Sequence, residues 1–506
     1  MKLTKLDKEV TAIYKHMLYM DSLANKMGKS VHPSFKWSAI NLIRYLVLRT
    51  HDLRKIHDAL SEFGISSLRT GEGYALKNVV DALVLINLLQ GKTWKNKKGL
   101  KLIGYEKSRR LRHLHTNNIF NAKDRKCFTE IMVTMPGVDL ADEKFIHDLL
   151  TEGMEIARIN LSHDNKATWK KVSQRIRESS AQLNIPCKIL MDLGGPKIRT
   201  REILVQQKGS LRLADRIKIH DGEHIMLLAD EKEKNLKRVG KKAKTKLVGI
   251  STNLPSVLDD LKVGDRVYFD DGKFGAKVTN KNGTNVKVKI ESGASEGRAL
   301  KSGKGINVPD TQLRLSSLTK EDLVNLPFAL DHADIIGYSF VRTANDVKVL
   351  FDLLGDRLQN IGIILKIENQ EAFQNLPLIL LEAMKCPKLG VMIARGDLAV
   401  EVGPERMSEI QDEIMWICEA AHIPVVWATE VLDRLAKLGR PTRSEITDAA
   451  SSVRAECVML NKGPYIVDAV RLLKRILIKM EKHTSKKKSK MRPLKLAINA
   501  LKRMEN

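Results

Sequence analysis

Aromatic residues and cysteines are both scarce in this sequence. Phe, Tyr and Trp make up 5% of it, and few of them interleave with the basic runs, so a surface that stacks nucleobases is not indicated. Five cysteines stand scattered at Cys127, Cys187, Cys386, Cys418 and Cys457, odd in number and without a CxxC pair. That pattern argues against a disulfide framework or a cysteine-built zinc site and fits a reducing cytoplasm. No apolar run reaches the roughly 18 residues needed to span a bilayer. The N-terminal MKLTKLDKEV is too charged for a signal-peptide core. Acidic residues are short as well: 60 Asp and Glu stand against 87 Lys and Arg, a formal net charge of +27. A surplus of that sign suits nucleic acid, anionic membrane or anionic metabolites as partners. The basic runs at 92–101, 107–112, 237–246 and 486–490 read most simply as solvated surface.

What the chain does have is length and ordered apolar segments. It has 506 residues, 43% of them hydrophobic, enough for two to four domains and a large core. Residues 1–125 read as helical. In SAINLIRYLVLRTHDLRKIHDALSEFGI, Leu42, Ile43, Leu46, Val47, Leu53, Ile56 and Leu60 recur at helical spacing until Gly64. ALKNVVDALVLINLLQG repeats the pattern and stops at Gly91. A small helical domain followed by a basic linker is expected, with no catalytic constellation in it.

From residue 130 the texture changes. Short apolar runs at EIMVTM, MEIARINL, CKILMDL, ADIIGYSF, GIILKIE, LGVMIARGD, PVVWATE and CVMLNK alternate with amphipathic segments such as DEKFIHDLLTEG, NDVKVLFDLLGD and QEAFQNLPLILLEAM. Eight such strands, mostly alternating with helices, describe a closed parallel (β/α)8 TIM barrel, an α/β fold. Between the third and fourth strands lie about 140 residues. They contain KLVGIST, RVYFDDG, FGAKVTN and NVKVKIE, broken by Asp271-Gly272 and Asn282-Gly283. A small all-β lid domain inserted after strand three is expected. The division predicted is 1–125 helical, 126–200 first part of the barrel, 201–308 inserted lid, 309–482 second part of the barrel, and 483–506 a basic tail.

Barrel active sites form at the carboxyl ends of the strands, and six of these eight strands end in polar groups. Strand two delivers Arg158, Asn160, Ser162 and His163; strand three delivers Asp192, Lys197 and Arg199. Strand four ends in Ser339, Phe340 and Arg342, strand five in Lys366, Glu368 and Asn369. Strand six ends in Arg395, Gly396 and Asp397, strand seven in Thr429 and Glu430. Glu368 and Asp397 close neighbouring strands, and two carboxylates plus waters and substrate oxygens suit Mg²⁺. Arg158, Arg199 and Lys366 put positive charge on the same rim. A metal with clustered cations points to phosphoryl transfer. Backbone N–H groups around Gly396 and Asp397 suit a substrate carboxylate, with Arg395 bracing the turn.

At this level of detail the sequence resembles the pyruvate kinases. The motifs are ARINLSHD, MDLGGPKIRT, DDG at 270–272, GKGINVP, SFVR, KIEN, ARGDLAVE, ATEVL and RPTRSEITDAA, in family order from about residue 129 to 482. The resemblance implies transfer of the phosphoryl group of phosphoenolpyruvate to ADP, dependent on Mg²⁺ (Mn²⁺ as substitute). It implies that Arg158 and Lys366 bind the phosphoryl group and that Glu368 and Asp397 ligate the metal. Residues 394–397, that is Ala394, Arg395, Gly396 and Asp397, would seat the substrate with Ser339, and Thr429 would help place the proton. Arg199, Asn160, His163 and Lys304 would face the nucleotide, with Asp271 closing over it. Members that need K⁺ carry Thr and Glu where this chain has Leu193 and Lys197. A lysine ammonium there replaces the ion, so K⁺ is expected not to be required.

Other positions depart from the family. Strand one continues as VTMPGVD, strand eight is followed by Asn461-Lys462-Gly463-Pro464, and Asp164, Ala399 and Glu430 stand for Gly, Gly and Gln. These lie mostly on the nucleotide side and leave open a catalytically weak relative that binds phosphoenolpyruvate or a nucleotide as a regulator. A nucleic-acid-associated role for the basic segments and another Mg²⁺-enolate barrel chemistry are the remaining alternatives. The family's C-terminal domain has no counterpart after strand eight. A cytoplasmic homo-oligomer, a dimer in preference to a tetramer and unresponsive to fructose bisphosphate, is expected, without membrane association.

Overall fold

The computed structural model describes residues 2–66, 68–97, 99–120, 128–229, 246–481 and 493–505. Two of the basic runs, 237–245 and 486–490, and Cys127 lie outside the described residues. Eight strands close into a barrel: β1 Glu130–Thr134, β2 Ile156–Asn160, β3 Lys188–Asp192, β4 Ile335–Tyr338, β5 Gly362–Ile367, β6 Leu389–Ala394, β7 Val425–Ala428 and β8 Cys457–Leu460. Each pairs in parallel with its neighbours in chain order, and β8 closes on β1 through Glu130 opposite Cys457. All eight strands expected from the sequence are present. Their continuous apolar character follows from burial on both faces, by barrel interior and by helices.

The chain leaves the barrel after β3 and builds a mixed sheet. Its strands run from Thr200–Gln207 to Ile306–Asn307. It encloses a core of its own around Ile203, Ile225, Val267, Phe274 and Val288. The four strands read from sequence are there, as Lys246–Thr252, Arg266–Phe269, Phe274–Asn282 and Asn285–Ser292. The strands Thr200–Gln207, Ser210–Ala214, Arg216–Ile219 and His224–Leu228 were not legible.

The N-terminal helices share the barrel's core. Helices Leu3–Tyr19, Lys36–Leu48 and Ala75–Leu89 pack their buried faces into the same apolar cluster that lies around the barrel. The helix Tyr105–Ile119 runs inside the stretch expected to be a linker, and its end plugs the barrel. Ile119 and Phe120 are buried among Met132, Ile156, Leu190, Ile335, Ile364 and Met392, and Lys188 Nζ donates to the carbonyl oxygens of both (2.9 and 3.3 Å). The segment expected as a basic tail ends in a docked helix, Lys495–Glu505. Leu494, Leu496, Ala497, Ala500 and Leu501 are buried in the shared core. No helix among the described residues is long and apolar enough to cross a membrane.

His422 pins the N-terminal helices to the barrel. Its ring is 1% exposed; Nε2 donates to the Gly73 carbonyl (2.9 Å) and Nδ1 accepts from Ser38 Oγ (3.0 Å). Burial pushes its pKa down to about 3. Above pH 6.5 it is neutral whether folded or unfolded. Below that, only the unfolded chain takes the proton, so stability is lost as pH falls toward the folded value, at up to ~1.4 kcal/mol per pH unit. Urea unfolding at pH 7 and pH 5 is expected to differ by about 2 kcal/mol more in the parent protein than in His422→Asn. An equal difference in both would contradict this.

Candidate active site

The carboxyl rim of the barrel gathers most of the residues singled out from the sequence. At its centre is Asp192, 1% exposed. Its Oδ2 accepts from Arg158 Nε (2.6 Å) and Nη2 (2.5 Å) and lies 3.4 Å from Lys366 Nζ. Burial alone would raise this carboxyl; Arg158 and Lys366 outweigh it and hold it below the ordinary carboxylate range. The arrangement depends on Gly337 in β4: a Cβ there would stand 1.8 Å from Asp192 Oδ1. The sequence delivered Asp192 to the rim but assigned it no role. Its partners lie 34 and 174 residues away, and no local signal reports them.

Lys366 sits at the junction of three groups. Its ammonium donates to Ser339 Oγ (2.8 Å) and pairs with Glu368 Oε1 (3.1 Å) as well as Asp192. Ser339 Oγ in turn donates to the Leu193 carbonyl (2.7 Å). Burial would lower the Lys366 pKa, but Asp192 and Glu368 raise it, so the side chain is held charged. Arg158 Nη1 donates to Thr134 Oγ1 (2.9 Å). Two cations are thus fixed side by side, each oriented by a neutral hydroxyl and both facing one carboxylate.

Glu368 ends β5, and its Oε2 accepts the backbone N–H of Phe340 (2.7 Å). Phe340 adopts a left-handed φ of 54° to present that amide, a strained geometry typical of functional sites. Burial pushes the Glu368 carboxyl up; Lys366 opposes this, and the nearby Asp397 adds to it. Asp397 lies in the first turn of the helix Arg395–Val402 after β6. Both of its oxygens accept from Lys197 Nζ (2.8 and 3.0 Å). The two carboxylates therefore sense each other electrostatically, each steadied by its own lysine. Among the described residues no three His, Cys, Asp or Glu side chains converge on one point. Two carboxylates fit a hard divalent ion that takes the rest of its shell from water and substrate.

Arg395 ties the carboxyl ends of β6 and β7 together. It forks onto Asp448 (2.5 and 2.8 Å) and donates to the carbonyls of Ala428 (2.9 Å) and Thr429 (2.6 Å). Its guanidinium is committed there, so any contact it makes with a substrate is left to its backbone. Gly396 N–H donates to Thr429 Oγ1 (2.9 Å), which leaves the threonine's own proton available to donate. Thr429 and Glu430 both take left-handed φ values, 64° and 59°. Ala394, the last residue of β6, is buried beneath them.

Two cavities flank this cluster. One, of ≈ 270 Å³, is lined by Arg158, Asn160, His163, Asp164, Lys437 and Lys462, among others. Burial pushes the His163 pKa down, and the cations Lys462, Arg199 and Arg158 add to this; Arg199 does not line the cavity, and its Nη1 donates to the Gly303 carbonyl of the inserted sheet (3.4 Å). The other, of ≈ 600 Å³, lies between the barrel and the inserted sheet, with Lys197, Asn307, Phe340, Asn369, Asp397 and Glu401 on its walls. Lys304 and Asp271 line neither. Lys304 pairs with Asp270 (2.9 Å). Asp271, 63% exposed in its side chain, comes within 3.7 Å of Lys197. The side-chain polar contacts of Lys197 are thus Asp397 and Asp271.

A closed barrel, a β-sheet inserted after its third strand, and a rim pairing two cations with two carboxylates define the class: a lidded barrel suited to phosphoryl chemistry. The barrel-domain family of pyruvate kinases matches residues 126–470. A pyruvate kinase of Bacillus licheniformis is 32% identical over 370 residues, 71% of this chain and 58% of the relative. One of Geobacillus stearothermophilus is 32% identical over 363 residues, 70% and 57%. Pyruvate kinase PKLR of Rattus norvegicus is 33% identical over 340, 65% and 55%. The chain belongs to the pyruvate kinase family. It spans a little over half the length of these curated relatives.

Proposed function

We propose that the protein transfers the phosphoryl group of phosphoenolpyruvate to ADP, giving pyruvate and ATP. The observation that carries this reading is the Arg158–Asp192–Lys366 cluster set beside the Glu368–Asp397 pair. Arg158 and Lys366 hold the phosphoryl oxygens while the bond from phosphorus to the enol oxygen breaks and a bond to the acceptor oxygen forms. Both cations are already in place before substrate arrives, so little reorganisation is needed at the moment of transfer. Glu368 and Asp397 would hold Mg²⁺, or Mn²⁺ in its place, which would neutralise charge on the phosphoryl and enolate oxygens. The substrate carboxylate lies against the backbone at 394–397. The O–H of Thr429 lies beside it, where the enolate collects a proton at carbon to become pyruvate. Asn160 and His163 face the acceptor from the smaller cavity, while Arg199, Lys304 and Asp271 approach from the side of the inserted sheet as it closes.

Lys197 stands where K⁺-requiring relatives carry Glu and supplies a fixed positive charge at the rim, held on Asp397, so activity is K⁺-independent. The test is pyruvate release from phosphoenolpyruvate, ADP and Mg²⁺, with and without K⁺. Equal rates are expected. Lys197→Glu is expected to restore a K⁺ requirement, with activity rising at least ten-fold on adding K⁺, roughly the scale of one lost charge contact. A variant indifferent to K⁺ would count against the assignment.

One observation favours a second reading. The cavity on the acceptor side is small for a nucleotide against the usual range of about 300–1,000 Å³, and Lys304 is paired to Asp270. A protein that binds phosphoenolpyruvate without turnover would show calorimetric binding and no pyruvate release.

A further inference from the structure

The geometry points to Lys197 as an internal counter-ion that occupies the divalent-ion site until a cation displaces it. The ammonium is then handed from Asp397 in the barrel to Asp271 in the inserted sheet. This rests on the reading of Glu368 and Asp397 as the divalent site.

Three separate parts of the chain meet at this point. Lys197 comes from the loop after β3. Asp397 comes from the first turn of the helix after β6. Asp271 comes from the turn joining strands Arg266–Phe269 and Phe274–Asn282 of the inserted sheet. Lys197 Nζ bonds to both oxygens of Asp397, at 2.8 and 3.0 Å, with the two side chains 21% and 16% exposed. The same ammonium lies 3.7 Å from Asp271 Oδ1. Asp271 has a free outer face and, with Asp270, is fixed in a left-handed turn at φ 55° and 52°. Gly305 packs against the pair: a Cβ there would stand 3.2 Å from Lys197 Cε and 3.3 Å from Asp271 Oδ1. The chain thus keeps this contact uncovered by any side chain at 305.

An ammonium held on both oxygens of a carboxylate competes for its charge with any metal ion that approaches the same face. A doubly charged ion drawn to Glu368 and Asp397 competes with a singly charged lysine and wins, but at reduced net affinity. The displaced ammonium already has its next partner within 3.7 Å, and that partner belongs to the lid. Metal binding therefore draws the lid toward the barrel rim, and the substrate-free protein holds its metal weakly. The lysine is a positioning residue for the lid as well as a fixed charge.

The experiment measures Mn²⁺ binding to the full-length, substrate-free protein, by the electron paramagnetic resonance of free Mn²⁺. Lys197→Met is expected to bind Mn²⁺ roughly five-fold tighter than the parent, the upper end of the scale of one displaced ion pair. Lys197→Gln, which keeps a polar side chain in the loop, is expected to match it. Asp271→Asn is expected to weaken binding about three-fold in the parent and to have no effect in the Lys197→Met background. Equal or weaker binding by both lysine variants would overturn the inference. Asp397→Asn tests the underlying site separately: it is expected to abolish tight binding in either background, and unchanged binding there would remove the metal-site reading itself.

Discussion

Lys366→Met is expected to lower pyruvate formation by about 10³-fold, the scale set by removing one preorganised charge from a developing transition state. The side chain is 9% exposed and committed to Ser339, Glu368 and Asp192. Methionine preserves the length and apolar stem but removes the ammonium. Asp192 keeps its closer partner, Arg158, at 2.5–2.6 Å, so the rim retains one of its two buried cations. Glu368 keeps the Phe340 amide, so the proposed divalent site remains. The expected pattern is a large fall in kcat with Mn²⁺ binding largely kept. Activity within three-fold of the parent would show that the phosphoryl group is held elsewhere.

Asp192→Asn is expected to harm both stability and turnover. The carboxylate is the shared counter-ion of two buried cations, and breaking such an arrangement from one side typically costs about 3–5 kcal/mol. The amide is nearly isosteric, so no cavity forms and Gly337 still gives room. What is lost is the charge that keeps Arg158 and Lys366 parallel. Pyruvate release is expected to fall by about 10²-fold, because Asp192 orients the two cations without touching substrate. Extending the carboxylate by one methylene, in Asp192→Glu, is not expected to rescue the loss, since Asp192 Oδ1 already fills the space above Gly337. Urea unfolding and a pyruvate-release assay on the same preparations read the two effects. A variant that loses less than about 1 kcal/mol would refute the counter-ion role.

The barrel was legible in the sequence because its strands are buried on both faces and end abruptly in charge. KILMD, GIILKI and LGVMIA leave few other readings once the helices between them are counted. The rim residues were legible for the same reason: strand ends point where active sites form. The connections among them were not. Nothing near Asp192 announces Arg158, Lys366 or the glycine that makes room for it. Nothing in the SFVR segment announces that Phe340 serves through its backbone N–H. Lys197 was legible as a charge near the site, but its pairing with Asp397 spans 200 residues. The terminal helix was hidden by its setting. Leu496, Ala500 and Leu501 have helical spacing, yet the lysine run before them dominated the reading. The barrel plug was missed likewise, because Ile119 and Phe120 are two apolar residues closing a strongly basic helix.

The central claim is that Glu368 and Asp397 share one divalent ion beside Lys366. Anomalous scattering from crystals grown with Mn²⁺ and phosphoenolpyruvate addresses it directly. The account predicts a single strong peak bridging the two carboxylates, with the Lys197 ammonium withdrawn from Asp397. A peak at any other position, or Lys197 still bonded to both Asp397 oxygens with manganese present, would contradict it.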